Sequence, residues 1–505
     1  MSTTQLAPAA LSKTQRWLAL GVLTLAVLLV AVDSTVLGLA TPFLSEELQP
    51  TGVQLLWIGD AYGFMIAGLL VSMGSLGDRI GRKRLLLIGA VAFGLISVLN
   101  AYAPTAEVMI GARALLGIAG ATLMPSTLAL IRNIFIDPRE RTVAIGIWGA
   151  MSSAGMAIGP ILGGFLLEHF WWGSVFLINL PVMVILVVVG AKLLPESKSS
   201  TAGAWDLPSV GLSMIGMFGI VYAIKEVFAV GLRFDVVIAA LIGVPAIILY
   251  LRRQRRLTTP LLDLSLFKNR GFGPAVLADL LAIFAMSGLV FFLSQYFQLV
   301  QGYRPLIAGL AELPAVIGAI VFGLLAGRIG QWIGIRTALL IGMLGLSLPL
   351  AALVFVHPST PYPALALILL VVGSGAGLTF TLTADLILSS APAEQAGAAS
   401  GVSETAYELG GALGIAVIGS VVTSVYRGFA APAGIPGSAV DAARQSLGGA
   451  VHAAEGLSAD AGQALVSAAQ TAFTDGLRLA GLIAGIVLLV ATVVINRAMR
   501  SVTRP

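Results

Sequence analysis

Long runs of apolar residues alternate with short polar segments from one end of the chain to the other. A helix needs about 20 apolar residues to cross the hydrocarbon core of a membrane. The runs are continuous, whereas the strands of a membrane barrel alternate between apolar and polar positions. The pattern therefore predicts an all-α membrane protein with fourteen spans, at residues 17–40, 55–76, 85–103, 106–131, 143–167, 174–194, 207–227, 236–251, 272–298, 306–326, 337–356, 364–388, 401–426 and 476–495.

Lysine and arginine are unevenly divided between the two sets of loops that these spans create. With the amino terminus inside, 22 of the 29 basic residues lie in cytoplasmic segments and 5 lie in outer segments. Cytoplasmic loops of membrane proteins carry the excess of positive charge. One missed helix would invert every later loop, so the bias predicts an even number of spans with both termini in the cytoplasm.

Composition excludes most soluble classes of protein. Hydrophobic residues make up 58% of the chain and charged residues 10%, against about 25% charged residues in soluble domains. The chain has no cysteine, which excludes disulfides, thiolate zinc sites and thiol nucleophiles. The histidines His169, His357 and His452 lie too far apart to suggest a metal cluster. We therefore expect no metal and no cofactor. We also expect no nucleic-acid partner, because the basic residues occupy short loops beside the lipid bilayer.

The longest polar segment, at residues 427–475, is rich in Ala, Gly and Ser and is predicted to lie outside. Short helices are expected near residues 439–454 and 459–473. Two interpretations stay open: a cap on the outer face, or a tolerated polar loop.

Two loops of similar sequence indicate an internal repeat. GSLGDRIGRKR at residues 74–84 follows the second predicted helix, and GLLAGRI at 323–329, with GIR at 334–336, follows the tenth. The second copy has Gly327 in place of the acid Asp78. Transporters are commonly built from two such halves, with the substrate bound between them. We predict a six-helix bundle over residues 1–200, a two-helix insert and basic loop over 201–270, and a second six-helix bundle over 271–505.

These residues resemble a known family. The loop at residues 74–84 is similar to the signature loop of the major facilitator superfamily. Other motifs resemble its fourteen-helix drug:proton antiporters, and they comprise Asp33, Ser34, Thr35, Ala40 and Pro42; Arg113, Gly117 and Gly120, with Leu116 in place of the usual glutamine; Gly155, Gly159, Pro160, Gly163 and Gly164; and Trp171, Trp172, Phe176, Asn179 and Pro181. The resemblance spans nearly the whole chain. It implies the major facilitator fold, with two six-helix bundles plus a two-helix insert, and export rather than uptake.

Two motifs are interpreted as conformational machinery. The first comprises Gly74, Asp78, Arg79, Gly81 and Arg82. It is expected to act as a latch that closes the cytoplasmic side, with Asp78 accepting bonds from an arginine or a helix N-terminus in the same half. The fifth-helix glycines and Pro160 allow close packing and a bend, so that helix is expected to shape motion. The alternatives are a topology signal for the basic loop and ordinary packing for the fifth helix.

Ionisable residues inside spans are costly and are functional candidates by default. They are Asp33, Asp60, Arg113, Asp279, Glu312, Asp385, Glu404 and Glu408. Desolvation favours the neutral form of a carboxyl, so such a group can exchange a proton near neutral pH. One carboxylate does not hold a proton and a cation together, and this exclusion is a basis for antiport.

Roles are assigned to most of these residues. We expect Asp33 and Arg113, with Asp60, to serve proton coupling, and Asp33 or Asp60 to be the partner of Arg113. Recognition of a cationic substrate is assigned to six residues: Glu312, Glu404, Glu408, Trp57, Tyr62 and Tyr407. The three aromatic residues could stack on a flat cation or simply belong to the core. Asp279 and Asp385 are expected to pair with polar neighbours or line a vestibule.

The features together predict a proton-coupled exporter of lipophilic, mostly cationic drugs in a bacterial inner membrane. It is expected to work by alternating access as a monomer, with the proton gradient as its energy source. The alternative is export of an endogenous metabolite, lipid or natural product by the same mechanism. A membrane enzyme is disfavoured, because the sequence has no histidine cluster, no phosphate-binding loop and no sizeable soluble domain.

Overall fold

The computed structural model describes residues 11–50, 52–199 and 205–499, apart from some side chains inside helices. This part of the chain contains helices and no strand. The α-helices are α1 (Lys13–Leu48), α2 (Gly52–Ile80), α3 (Arg82–Ala101), α4 (Ala106–Ile134), α5 (Pro138–His169), α6 (Ser174–Leu177), α7 (Asn179–Leu193), α8 (Leu207–Val230), α9 (Phe234–Gln254), α10 (Phe272–Gln295), α11 (Pro305–Ala311), α12 (Leu313–Ile333), α13 (Ile335–Ala352), α14 (Tyr362–Ser390), α15 (Ala396–Arg427), α16 (Gly437–Gln445), α17 (Leu447–Ala454) and α18 (Ala459–Ala498).

Fourteen spans in the described residues are long and apolar enough to cross a membrane, which confirms the predicted number. The chain is therefore a multi-pass membrane protein. The short helix α6 continues into α7 as one span, and α11 continues into α12 as another. A π-helical turn, Tyr296–Val300, extends the span that begins with α10.

The first helix begins earlier than the hydrophobic pattern predicts, because polar residues cap it. The Ser12 hydroxyl accepts a hydrogen bond from the Gln15 backbone, and the Ser12 backbone N–H donates to the Gln15 side chain over 2.9 Å. This reciprocal pair satisfies N–H groups that a helix N-terminus otherwise leaves unpaired. The helix ends at Leu48, where Gln49 adopts a left-handed conformation with φ of 45°.

The tenth span is interrupted at Glu312, whereas the sequence predicts one continuous helix there. Pro314 follows two residues later and has no backbone N–H, so it cannot bond to the preceding turn. The Glu312 carbonyl instead accepts a hydrogen bond from Ala315 over 3.0 Å, which restarts the helix.

The polar segment that is predicted to lie outside is helical and packed. Helices α16 and α17 cover the first predicted region, but residues 459–473 are not a separate short helix. They are the first part of α18, which runs for 40 residues without a proline. The Gln470 side chain donates to the Leu299 carbonyl over 2.9 Å, and the Tyr426 hydroxyl donates to the Ala443 carbonyl over 2.7 Å.

Two large hydrophobic cores lie on either side of the molecule. One joins buried residues of α1–α5 and α7, with two side chains from α14, and the other joins residues from α9 to α18. Helices α8 and α9 pack on each other, and α8 also lies against α2 and α15. The boundaries predicted at residues 200 and 270 stay a prediction, and residue 200 lies outside the described residues.

Candidate functional site

A small cavity lies where α4, α5, α10, α14 and α15 meet. Its volume is about 60 Å³, well below the roughly 300–1,000 Å³ of pockets that hold drug-sized ligands. The cavity must therefore widen before it can admit such a molecule. It is lined by Met124, Leu128, Trp148, Gly149, Ser152, Ser153, Met156, Asp279, Met286, Phe380, Ala384, Ser403, Glu404 and Tyr407.

Asp279 lies on the wall of this cavity and is only 3% exposed. The Ser403 hydroxyl on α15 donates to one carboxyl oxygen over 2.8 Å, and the Thr383 hydroxyl on α14 lies 3.1 Å from the other. Asp279 thus pairs with polar neighbours and also lines the cavity, as the sequence predicts. It links α10 to two further helices at the same depth.

Glu404 is the second acid in the cavity and is 5% exposed. Among the described residues, no donor forms a hydrogen bond or an ion pair with its carboxyl group. None of the described residues that line the cavity is basic. Tyr407 also lines it and contacts the ring of Phe380 at 5.8 Å between centroids. Glu408 lies one helical turn beyond Glu404 and is not among the residues that line the cavity. The cavity therefore combines uncompensated acidic groups with aromatic walls.

A different arrangement surrounds Asp33, on α1. Its carboxyl group is 3.1 Å from the Arg113 guanidinium, and the two side chains are 1% and 2% exposed. Asn179 donates to the other oxygen over 2.9 Å, and Arg113 also donates to the Ile58 carbonyl over 3.3 Å. Of the two partners predicted for Arg113, the structure places Asp33 in the ion pair. A buried ion pair of this kind is strongly held only while both charges are present.

Tyr62 packs against the ion pair rather than against the cavity wall. The Arg113 guanidinium lies 4.7 Å from the centre of its ring. Its hydroxyl is buried without a hydrogen-bond partner in the described part of the chain. Tyr62 therefore belongs to the surroundings of the Asp33–Arg113 pair.

Three other predicted site residues lie outside the cavity. Trp57 stacks on Phe218 of α8 at 5.8 Å, because its face of α2 is covered by that helix. Asp60 is half-buried on α2. Glu312 lies at the break between α11 and α12, and its Oε1 atom is buried without a partner among the described residues. The structure does not bring these three side chains to Glu404, and their roles stay predictions.

The predicted latch forms an inter-helix contact at the end of the bundle that holds the α2–α3, α4–α5 and α14–α15 connections, here called the basic end. Asp78 accepts two bonds from Arg82, at 2.8 and 2.6 Å. It also accepts from the backbone N–H groups of Gly397 and Ala398, at 2.9 and 3.0 Å. The arginine is in the same half, as predicted, but the helix N-terminus belongs to α15 of the opposite half. The arginine of the same half fulfils the prediction, and the bonds from α15 are an addition that makes the latch span the two sets of helices.

The backbone of the latch allows this approach. A side chain at Gly74 would overlap the Gly397 carbonyl, so α2 and α15 meet through their backbones. Gly81 precedes α3 with φ of 114°, a left-handed value that favours glycine. Arg79 donates weakly to the Thr259 carbonyl over 3.4 Å, which ties the loop to the segment after α9.

A second contact at the basic end was not assigned to the latch from sequence. Asp385 of α14 accepts a bond from Arg141 of α5 over 2.7 Å and another from the Thr142 hydroxyl over 2.9 Å. Gly327, which replaces the latch acid in the second loop, packs beside Thr142. Arg132 adds two bonds to the Ala391 and Pro392 carbonyls. From the sequence alone these arginines are only topology signals, because nothing in their spacing reveals partners more than 240 residues away.

Gly155 and Gly159 of the fifth helix face α1. A side chain at Gly159 would overlap Thr35, and one at Gly155 would lie 2.6 Å from the Leu28 carbonyl. Helix α5 therefore contacts the helix that carries Asp33, on both sides of that residue. Gly163 is buried and Gly164 is half-buried in the same helix, and the side chain of Pro160 lies outside the described residues.

Comparison with known proteins shows extended similarity. The family model of the Major Facilitator Superfamily matches residues 23–415. The multidrug efflux pump LfrA of Mycolicibacterium smegmatis is 43% identical over 96% of this chain and 97% of its own. The methyl viologen resistance protein SmvA of Salmonella typhimurium is 35% identical over 91% of this chain and 93% of its own. The crystal structure of the human organic anion transporter MFSD10 has a TM-score of 0.57 at 16% identity, covering 94% of this chain and 100% of that one, which shows a shared fold.

Proposed function

The chain belongs to the Major Facilitator Superfamily, and from this premise we propose that it exports lipophilic, mostly cationic drugs in exchange for protons. The observation that carries the proposal is a pair of contrasting acidic regions. One is a cavity with aromatic walls and two acids without a basic neighbour among the described lining residues. The other is Asp33, held by Arg113. The relatives named as drug-efflux and methyl viologen resistance proteins support the substrate class.

The proposed orientation places the basic end in the cytoplasm of a bacterium, with the chain in its inner membrane. The excess of lysine and arginine in the loops on that side supports this orientation. The named relatives are bacterial proteins. One chain contributes both sets of helices that enclose the cavity, so the proposal requires only a monomer. No cofactor enters the proposed cycle.

The first step of the proposed cycle begins with the cytoplasmic end closed by the contacts of Asp78 and Asp385. Protons from outside neutralise buried carboxyl groups, and a carboxyl group that has become neutral no longer attracts a cation. Release of the drug to the outside follows. Protonation of Asp33 also removes one charge of its ion pair with Arg113, which changes the contact between α1 and α5 that Gly159 permits.

The second step opens the opposite side. When the contacts at the basic end separate, the cavity faces the cytoplasm and the inner leaflet of the membrane. The protons leave toward the lower proton concentration, and the ionised Glu404 binds the next cation against Tyr407 and Phe380. Coupling arises because proton and drug bind the two states with different affinity.

The deciding experiment measures efflux of a fluorescent cation from proteoliposomes or vesicles under an imposed pH gradient. We expect efflux to follow the gradient and to stop when an ionophore collapses it, with or without ATP. Efflux that ATP sustains after the gradient has collapsed would overturn the exchange mechanism. A pH-driven proton flux without movement of any cationic drug would favour a neutral natural product or lipid as substrate.

A further inference from the structure

We infer that Asp279 is a further substrate-contacting residue and that, together with Glu404, it selects substrates that carry two positive charges on a flat aromatic body. This inference rests on the proposed function, because it names the substrate class of the same cavity. The sequence assigns Asp279 no role in recognition.

The charges in the cavity are the first argument. Asp279 and Glu404 line the same cavity, and none of its described lining residues can supply a positive charge. Glu404 is 95% buried and has no hydrogen-bonding partner in the described residues, so its carboxyl group is directed into the cavity without a protein group to compensate it. An ionised carboxylate in a region of low dielectric is costly unless it is paired. A cationic substrate would provide the missing partner.

Asp279 differs from Glu404 because a neighbouring hydroxyl group stabilises a negative charge on its carboxyl group. The Ser403 hydroxyl donates to it over 2.8 Å, and hydrogen bonds to a carboxylate are stronger than those between neutral groups. The Thr383 hydroxyl lies within 3.1 Å of Asp279 and also within reach of its own helix carbonyls, so Ser403 is the dedicated donor. A single positive charge would leave one of the two carboxyl groups uncompensated. A dication can pair with the carboxyl groups of both Asp279 and Glu404.

The walls of the cavity fit a flat aromatic molecule. Trp148 donates its indole N–H to Thr127 over 3.1 Å, which fixes the plane of the ring. Phe380 and Tyr407 face the same space with their rings tilted by 50°. A cation within about 6 Å of such a ring is attracted to its face. Met124, Met156 and Met286 complete the wall, and methionine side chains adapt to ligands of different outline.

A purely structural role for Asp279 makes a different prediction. In that case Asp279 would only join α10 to α14 and α15, and its loss would weaken the binding of every substrate alike. The charge-matching role predicts a loss confined to dications.

The test compares two molecules of nearly the same shape. Methyl viologen carries two pyridinium rings, and 1-methyl-4-phenylpyridinium carries one pyridinium and one neutral phenyl ring. Binding of each is measured by calorimetry on the purified full-length protein in detergent, for the native protein, Asp279→Asn and Asp279→Glu. Thermal unfolding of each variant checks that the protein is folded.

We expect Asp279→Asn to weaken methyl viologen binding by about tenfold or more, because a close charge pair is lost. Binding of the monocation should change by about twofold at most, because Glu404 still supplies its partner. Asp279→Glu should retain the preference for the dication. An equal loss for both molecules, or no change for either, would overturn the inference.

The outcome stays separable from that of the proposed function. Binding in detergent requires no proton gradient, so the preference for dications can be measured even if transport proves to have another energy source. Conversely, pH-driven efflux of both molecules without discrimination by Asp279 would support the proposed function and contradict this inference.

Discussion

Two buried acidic regions use the same chemical group in opposite settings. Asp33, in the N-terminal helices, is held by Arg113 and Asn179. Asp279 and Glu404, in the C-terminal helices, share a cavity whose described lining contains no cation. Protonation of Asp33 would remove one charge of its ion pair with Arg113. The carboxyl group of Glu404 has no such partner among the described residues, so a ligand could pair with it. Burial alone therefore does not determine the role of an acid, and the identity of its neighbours does.

Tyr62 belongs to the first region. The Arg113 guanidinium lies over its ring, and its hydroxyl is buried without a hydrogen-bond partner among the described residues. This side chain therefore lies beside the ion pair and is not part of the cavity wall.

Removing the paired acid should have the largest effect. We expect Asp33→Asn to abolish pH-driven drug efflux while equilibrium drug binding in detergent is retained, because the cavity lies apart from the ion pair. Loss of one partner from a buried pair also destabilises a protein by about 3–5 kcal/mol. Efflux from proteoliposomes and thermal unfolding are measured together.

The double variant Asp33→Asn with Arg113→Gln is the matched control. It removes the orphaned positive charge and should recover thermal stability without recovering coupled efflux. Normal efflux by either variant would refute the role of Asp33.

Replacing Glu404, the acid without a partner, should affect binding more than stability, which is the reverse of the effect expected for Asp33→Asn. We expect Glu404→Gln to weaken binding of a monocationic dye by about tenfold, with little loss of thermal stability, because no ion pair is broken. Dye fluorescence with purified protein measures the affinity. If Glu404→Gln destabilised the fold as much as Asp33→Asn and left dye affinity intact, the contrast between the regions would be lost.

The sequence was sufficient for the spans, because hydrophobic length is a local property. It left Asp33 and Asp60 open as partners of Arg113, and the structure shows the pair with Asp33. It also placed Glu404 and Tyr407 among the binding candidates, and the structure puts both in one cavity. It could not separate Trp57 from that cavity, since the side chain faces α8 only once the insert has packed on α2. The partnership of Arg141 with Asp385 likewise depends on how α5 meets α14.

A paired acid between the two sets of helices should control conformation rather than affinity. Asp385→Asn removes the charge held by Arg141 at 2.7 Å. We expect the basic end to open more often, raising the labelling rate of a single cysteine at Ala384 by about fivefold. The native chain has no cysteine, so a maleimide added to the purified protein in detergent, where both ends are accessible, reports that position alone.

A single cysteine in place of the exposed Glu455 is the control, because it lies between α17 and α18, away from the basic end. Its labelling rate should not change in the Asp385→Asn background. Equal labelling of the Ala384 position in both backgrounds would show that the Arg141 contact does not hold the basic end closed.

A neutral change beside Asp33 should have a smaller effect. Any side chain at Gly159 meets Thr35 on α1, whereas no described atom lies within 4 Å of a side chain placed at Gly164. We therefore expect Gly159→Ala to slow pH-driven efflux severalfold, at roughly 1–3 kcal/mol of overpacking, with unchanged dye affinity. Gly164→Ala should behave as the native protein. A selective loss of affinity in Gly159→Ala would instead make this helix part of the binding surface.

The smallest effect should come from an acid that is paired at the end of a span rather than inside one. Asp206 precedes α8 and accepts two bonds from Arg253, at 2.7 and 2.9 Å. Hydrogen bonds from Arg253 outweigh partial desolvation and lower the pKa of Asp206 from 3.8 to about 2. The pair therefore adds stability above the ordinary pKa, and this contribution disappears as the pH falls from about 4 toward 2.

Because Arg253 is 40% exposed, we expect Asp206→Asn to cost about 1 kcal/mol or less and to leave efflux unchanged. Thermal unfolding at pH 7 and pH 3 measures the difference, which should shrink at the lower pH. A loss of coupling as large as that of Asp33→Asn would mean that pairing, and not position in the membrane, decides which acids matter.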